Sequence, residues 1–179
     1  MKVIILTTSA FGVTGHHLPL LFSSRDIEIA MVVVSRGQVT NKKNQYLKRI
    51  KKILRIGVFG ALNGIKMRKW YNEDIKQYCK IGNAEEFCQA NNIPFITVPH
   101  TNSEETQRAF KETGADIGLS LGNGYISKKV FSIPKYGMLN IHHEVLPQFQ
   151  NAQSIIWQLY NGSAETGYTI HKIDKHIDT

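Results

Sequence analysis

The sequence predicts an α/β fold, an open and mostly parallel sheet covered by helices on both faces. Short runs of almost wholly apolar residues, such as residues 31–34, are typical of strands that are buried on both faces. Segments with helical patterns lie between these runs, and this alternation is typical of a parallel sheet. A length of 179 residues suits a single domain, so we expect one domain over residues 1–179.

The predicted elements follow one another with turn or cap signals between them. The first strand leads into a loop that contains Gly12 and Gly15, and a short helix begins near Leu18. Ser103 has the side chain of an N-cap, and the helix that it begins ends at Gly114. Strands are predicted at residues 2–6, 27–34, 95–98, 115–121, 137–142 and 168–173, and further helices at residues 83–91 and 153–160.

The positive charge of the chain is concentrated in one segment. Residues 36–70 carry eleven Lys or Arg and no Asp or Glu, whereas the rest of the chain has eleven basic and fourteen acidic residues. Apolar residues within the segment, among them Leu47, Ile50 and Leu54, recur at the three- and four-residue spacing of an amphipathic helix. We therefore expect a basic helical insertion at about residues 36–72. It is either a solvated helical face or a surface that attracts a phosphorylated substrate, an anionic membrane or a nucleic acid such as tRNA.

Composition excludes several classes of protein. Hydrophobic residues make up 42% of the chain and charged residues 20%, which is ordinary for a folded globular protein. No apolar stretch is long enough for a membrane span, and the apolar residues 3–6 predict a strand rather than a signal peptide. Two cysteines, Cys79 and Cys88, are too few for a disulfide framework, so we expect buried thiols and a cytoplasmic location. Trp157 is expected to be a core residue.

Polar side chains gather where the fifth predicted strand ends. Asn140 and His142 are two residues apart, so they point to the same side of that strand. An amide donor beside an imidazole suits the stabilisation of an oxyanion together with proton transfer, and Asp174 and Asp178 lie further along the chain. Alone, this pair is also compatible with an ordinary strand end.

A longer pattern carries a resemblance to a known family. Four sequence elements occur in order, namely Asn140-Ile141-His142, Leu146-Pro147, Gly167-Tyr168-Thr169-Ile170-His171 and Ile177-Asp178-Thr179. In order and spacing this pattern resembles the 10-formyltetrahydrofolate-dependent formyltransferases, and the likeness covers residues 115–179 best. The resemblance implies a Rossmann-like fold and transfer of a formyl group from 10-formyltetrahydrofolate to a primary amine.

The resemblance also implies roles for individual residues. Asn140 would donate a hydrogen bond to the formyl oxygen, His142 would act as general acid or charge partner, and Asp178 would orient His142 and help to remove the proton of the amine. No metal is required by the family's reaction, and we expect none. The stretch that would line the folate pocket with its backbone groups is Gly122, Asn123, Gly124, Tyr125 and Ile126.

Departures from the family pattern bear on the acceptor. Gln150 and Asn151 stand where the family usually has Arg and Gly, and residues 7–18 lack the glycine-rich phosphate loop of the glycinamide ribonucleotide enzymes. With the basic insertion, these departures favour a small-molecule acceptor, the amine of an amino-sugar nucleotide. Methionyl-tRNA is the alternative acceptor, and a folate-binding domain without turnover is the alternative function. Because the chain ends one residue after Asp178, the resemblance also implies an excised N-terminal domain.

Overall fold

The structure is a computed structural model that describes residues 1–36, 42–78, 82–142, 144–150 and 154–176. Three residues singled out from the sequence, Cys79, Asn151 and Asp178, lie outside the described residues.

A six-stranded sheet with the order β3-β2-β1-β4-β5-β6 forms the centre of the fold. The strands are β1 (Lys2–Thr7), β2 (Glu28–Ser35), β3 (Phe95–Val98), β4 (Ile117–Leu121), β5 (Met138–His142) and β6 (Thr169–Lys172). Neighbouring strands are parallel except for β5 and β6, which pair in antiparallel orientation. The predicted fold class, an open and mostly parallel sheet, is confirmed.

Helices cover the sheet on both of its faces. The helices are α1 (Val13–Ser23), α2 (Lys42–Tyr78), α3 (Ala84–Ala90), α4 (Glu104–Thr113), α5 (Lys128–Phe131) and α6 (Ser154–Tyr160). Those that pack on the sheet with buried apolar side chains are α1, α3, α4 and α5. One apolar core joins alternate strand residues such as Ile4 and Leu6 to Phe110 of α4 and Val130 of α5. A second core, on the other face, joins the intervening strand residues to α1 and α3. The alternation along each strand thus divides the apolar residues between two cores.

The first helix begins earlier than the sequence predicted. It starts at Val13 rather than near Leu18, and its N-cap is Gly12, whose φ of 72° is an unusual conformation for any residue with a side chain. The cap has no side-chain hydrogen bond, and Pro19 lies inside the helix. The sequence therefore has neither an N-cap side chain nor an acidic residue in the first turn to mark the start of this helix.

The basic segment forms the long helix α2, within a compact unit of its own over residues 39–81. Gly57 interrupts the helix with a φ of 73° and a ψ of 165°, so two helical halves meet there. None of the helices among the described residues combines the length and the apolar character required of a membrane span.

Cys88 is buried and Trp157 is exposed, although both were expected to be buried. Cys88 is fully buried, as predicted, and its burial raises the pKa of the thiol to about 11. The expectation that Trp157 is a core residue was wrong, because its side chain is 55% exposed and stacks edge-on against Tyr160.

Candidate active site

The carboxyl ends of three neighbouring strands, β1, β4 and β5, meet at one edge of the sheet. Strand order reverses its direction between β1 and β4, and ligands of open α/β sheets bind in the crevice outside such a reversal. At this edge the Thr8 hydroxyl donates to the backbone oxygen of Gly122, at 2.6 Å, and so links the exits of β1 and β4. The sheet therefore brings the loops that follow these strands together.

Asn140 occupies the central position of β5, two residues before the carboxyl end of the strand. Its Cα pairs with Ser120 of β4 on one side and with His171 of β6 on the other. The Asn140 amide nitrogen donates to Nε2 of His171 at 3.2 Å. This contact uses one of the two amide hydrogens and fixes the orientation of the side chain.

His142 ends β5 on the same side of the sheet as Asn140. Its Nε2 atom lies 2.8 Å from the backbone oxygen of Phe149 and 3.1 Å from Oε2 of Glu144. A backbone carbonyl oxygen only accepts hydrogen bonds, so the contact with Phe149 makes Nε2 the ring nitrogen that carries a proton in this arrangement. The imidazole is thereby held between the Leu-Pro turn and a carboxylate.

Glu144 is a site residue that the sequence reasoning missed. It is only 3% exposed, although a carboxylate is seldom buried without a partner, and its partner is His142. The Thr169 hydroxyl on β6 donates to the Glu144 backbone oxygen at 2.8 Å and accepts from the Leu146 backbone nitrogen at 3.1 Å. The sequence signal that could have identified Glu144 was its place two residues after the end of β5.

The turn that follows is formed as the sequence indicated. The Phe149 backbone nitrogen donates to the oxygen of Val145 at 3.2 Å, and the Leu146–Pro147 peptide bond is cis. Through the oxygen of Phe149 this turn contacts the ring of His142. The turn therefore belongs to the same polar cluster as Asn140, His142 and Glu144, which we call the β5 cluster.

The residues predicted to line a folate pocket divide into two groups. The side chain of Asn123 is used within the fold, because its amide nitrogen donates to the backbone oxygen of Leu6 at 2.6 Å and to the Ser120 hydroxyl at 3.1 Å. The side chain of Ile126 is 5% exposed and lies in one of the two cores. The predicted role of the backbone groups of both residues stays a prediction. Gly122, Gly124 and Tyr125 are exposed at the edge of the sheet.

Two further expectations concern Asp178 and metals. Asp178, the third predicted catalytic residue, lies outside the described residues, so its predicted role stays a prediction. Within the part of the chain that the structure describes, no three His, Cys, Asp or Glu side chains are grouped so as to hold a metal ion.

Sequence comparison finds two kinds of similarity. A family model described as "Formyl transferase" matches residues 82–179, which include the whole β5 cluster. A methionyl-tRNA formyltransferase from Trichormus variabilis is 41% identical over 76 residues, which is 42% of this chain and 23% of that protein. The same enzyme from Trichodesmium erythraeum is 36% identical over 93 residues, which is 50% of this chain and 27% of that protein. The chain thus matches about a quarter of the length of these curated relatives.

Solved structures share the fold over the whole chain. Phosphoribosylglycinamide formyltransferase from Bacillus halodurans superposes with a TM-score of 0.61 at 16% identity. The superposition covers 100% of this chain and 75% of the chain of that enzyme. A formyltetrahydrofolate deformylase from Pseudomonas syringae gives a TM-score of 0.59 at 14% identity, covering 99% of this chain and 47% of its own. At such low identity these likenesses show the fold alone.

Proposed function

The chain belongs to the formyl transferase family, and from this premise we propose that it transfers a formyl group from 10-formyltetrahydrofolate to a primary amine. The observation that carries the proposal is the β5 cluster. An amide donor and an imidazole lie side by side at the carboxyl edge of the sheet, within the segment that the family model matches. Such a pair suits acyl transfer, in which negative charge develops on one oxygen and a proton moves.

The exposed part of the loop after β4 fits a flat, polar donor molecule. Gly122 has a φ of 68°, and an added Cβ at that position would meet no atom within 4 Å, so its backbone is open to a ligand. Gly124 and Tyr125 continue this exposed edge and offer peptide groups and an aromatic ring. We assign these three residues to binding of the pterin ring of 10-formyltetrahydrofolate. When bound, this donor molecule supplies an electrophilic formyl carbon.

Each polar residue of the cluster has a distinct part in the proposed reaction. Asn140 uses one amide hydrogen for His171, and the other is the donor that we assign to the formyl oxygen as it gains negative charge. His142 places its ring beside the same centre, and when the ring is protonated the Glu144 carboxylate at 3.1 Å balances its charge. For Asp178 we propose the role that the family resemblance implies, to orient His142 and to help remove the proton of the attacking amine. The new bond to the amine replaces the bond between the formyl carbon and the folate nitrogen, and the departing tetrahydrofolate takes up a proton on that nitrogen.

The acceptor that we propose first is an amino-sugar nucleotide. The support is that Gln150 follows the turn where the family usually has Arg, and that residues 7–18 lack a glycine-rich phosphate loop. Methionyl-tRNA is the second candidate, because the curated relatives with 41% and 36% identity are methionyl-tRNA formyltransferases. The two acceptors differ in size and charge, so competition between them is informative.

Calorimetric titration with 5-formyltetrahydrofolate, a stable analogue of the donor, tests the binding step. We expect binding by the wild-type chain and by Asn140→Ala, because the proposed contact of Asn140 develops in the transition state rather than on binding. Replacing Tyr125 with Ala should weaken binding, whereas Tyr136→Ala, which removes a comparably exposed tyrosine at 53%, is the matched control. A folded chain that binds no analogue would contradict the proposed site.

The acceptor is tested by competition in a formyl-transfer assay. An amino-sugar nucleotide should be formylated at a rate that unformylated methionyl-tRNA does not reduce. If methionyl-tRNA is formylated instead, and the rate falls steeply with salt, the second acceptor is correct. Binding of the analogue without transfer to either amine would select a folate-binding domain without turnover.

A further inference from the structure

The basic helix α2 supplies no residue to the β5 cluster, and its side chains suit a different kind of partner. Among the described side chains of residues 46–70, eight are Lys or Arg and none is acidic. They are Lys48, Arg49, Lys51, Lys52, Arg55, Lys66, Arg68 and Lys69. A surface of this composition attracts a polyanion, and charge alone does not distinguish a lipid headgroup layer from a nucleic acid.

The apolar side chains of the same helix make that distinction. Leu47 is 52% exposed, Leu54 78% and Phe59 89%, which are large fractions for side chains of this kind. Ahead of the Gly57 interruption, Leu47, Ile50 and Leu54 follow one another at intervals of three and four residues and so share one face. Lys48, Arg49, Lys51, Lys52 and Arg55 fill the positions between and around them.

A helix with exposed apolar residues on one face and cations beside them matches the requirements of a membrane interface. Its apolar face enters the boundary between headgroups and acyl chains, while the cations pair with anionic headgroups. A nucleic acid would use the cations and leave Leu54 and Phe59 in water. Trp70, which is 57% exposed, adds an indole, and tryptophan is enriched at membrane interfaces.

We propose that α2 binds the surface of an anionic phospholipid membrane, lying in the plane of the interface. The interruption at Gly57 gives the helix two halves, each of which carries both basic and exposed apolar residues. The proposal concerns the unit formed by residues 39–81 and is independent of the acceptor of the formyl group.

Co-sedimentation with vesicles tests the proposal directly. We expect the chain to pellet with phosphatidylcholine vesicles that contain phosphatidylglycerol and to remain in the supernatant with phosphatidylcholine alone. Charge reversal at Lys48, Lys51 and Lys52 should lower binding at least about a hundredfold, since each cation near an anionic surface is worth roughly a fivefold factor. The matched control reverses three exposed lysines of the other unit, Lys111, Lys128 and Lys129, and should bind like wild type.

A second variant separates lipid from other polyanions. Leu47→Ser, Ile50→Ser and Leu54→Ser together keep every charge but remove the apolar stripe, and this variant should lose vesicle binding. Leu20→Ser, at an apolar side chain 64% exposed in the other unit, is its control. If the serine variant binds vesicles as tightly as wild type, the contact is purely electrostatic and the proposal is overturned.

Fluorescence supplies a readout that does not depend on any variant of the helix. In a Trp157→Phe background Trp70 is the one remaining tryptophan, because the chain has two. Its emission should shift to shorter wavelength on addition of anionic vesicles and be quenched by lipids brominated on their acyl chains. Tight tRNA binding without a vesicle response, or self-association in sedimentation velocity that buries the stripe, would overturn the proposal.

Discussion

Replacement of Glu144 by Gln tests how the β5 cluster holds its imidazole. The carboxylate of Glu144 lies 3.1 Å from Nε2 of His142, and the Glu144 side chain is 4% exposed. Gln has nearly the same shape and keeps one acceptor oxygen, so the substitution removes the charge and little else. The Thr169 hydroxyl bonds the backbone oxygen of residue 144, and that contact is retained.

The expected magnitude follows from the distance and the burial. Opposite unit charges 3.1 Å apart attract by about 5 kcal/mol at an effective dielectric constant of about 20. Desolvation of both groups offsets much of this, and hydrogen bonds to charged groups contribute about 1.5–3 kcal/mol net. If this contribution supports the charged ring in the transition state, Glu144→Gln lowers kcat by about 10- to 150-fold.

The assay is steady-state formyl transfer from 10-formyltetrahydrofolate to whichever amine the competition assay selects as the acceptor. Because Glu144 acts through His142 and contacts no substrate in the proposed mechanism, kcat should fall while KM for the donor stays nearly constant. Glu112→Gln, at an exposed carboxylate on α4, is the matched control and should leave both constants unchanged.

A spectroscopic readout separates this positioning role from a merely structural one. Nitrogen-15 NMR of the His142 ring, assigned with His142→Gln, should show a proton on Nε2 in the wild-type chain. The ring signals of His142 should change in Glu144→Gln, because Nε2 loses the carboxylate oxygen that lies 3.1 Å away. An unchanged rate together with unchanged ring signals would show that Glu144 does not position His142.

Three further predictions concern stability. Burial raises the pKa of the Cys88 thiol from 9.0 to about 11. Because the thiol ionises at lower pH in the unfolded chain than in the folded one, the stability that Cys88 contributes is complete below pH 9 and is lost as the pH rises toward 11. Urea unfolding of Cys79→Ser at several pH values should show this loss, and the same chain with Cys88→Ala as well should not. Gly15→Ala should unfold the protein or cost several kcal/mol, because the new Cβ would lie well inside contact distance of the Gly82 backbone oxygen; an unchanged melting temperature would contradict the close approach. Ser103→Ala should cost about 1 kcal/mol in denaturant unfolding through loss of the α4 cap, and a cost near zero would show that the cap is dispensable.

The centre of the sheet was predictable because β1, β2 and β4 are largely buried on both faces. Residues 95–98 were placed without error as β3, and the Ser103 cap and the Gly114 end of α4 were both found, since each has a specific local signal. The start of α1 was missed because Gly12 caps the helix without a side-chain bond. The direction of β6 was not predicted either, because a strand's own sequence does not fix the orientation of its partner.

The site was predictable only in part. The alternation of a strand places Asn140 and His142 on one side, and the structure agrees. The partners of these residues come from elsewhere in the chain, His171 from β6 and Glu144 from the turn, and no local pattern links them. Tertiary packing likewise gives Asn123 and Ile126 structural contacts that their place in the loop does not indicate.

Mass spectrometry of the acceptor shows whether the β5 cluster transfers a formyl group. The chain is incubated with 10-formyltetrahydrofolate that carries a carbon-13 formyl group and with an amino-sugar nucleotide or methionyl-tRNA. We predict a labelled formamide on one acceptor, formed about 100- to 1,000-fold more slowly by Asn140→Ala, as expected for loss of one donor to an oxyanion. If no labelled acceptor forms, or if Asn140→Ala transfers the label as fast as the wild-type chain, the proposed function of the β5 cluster is wrong.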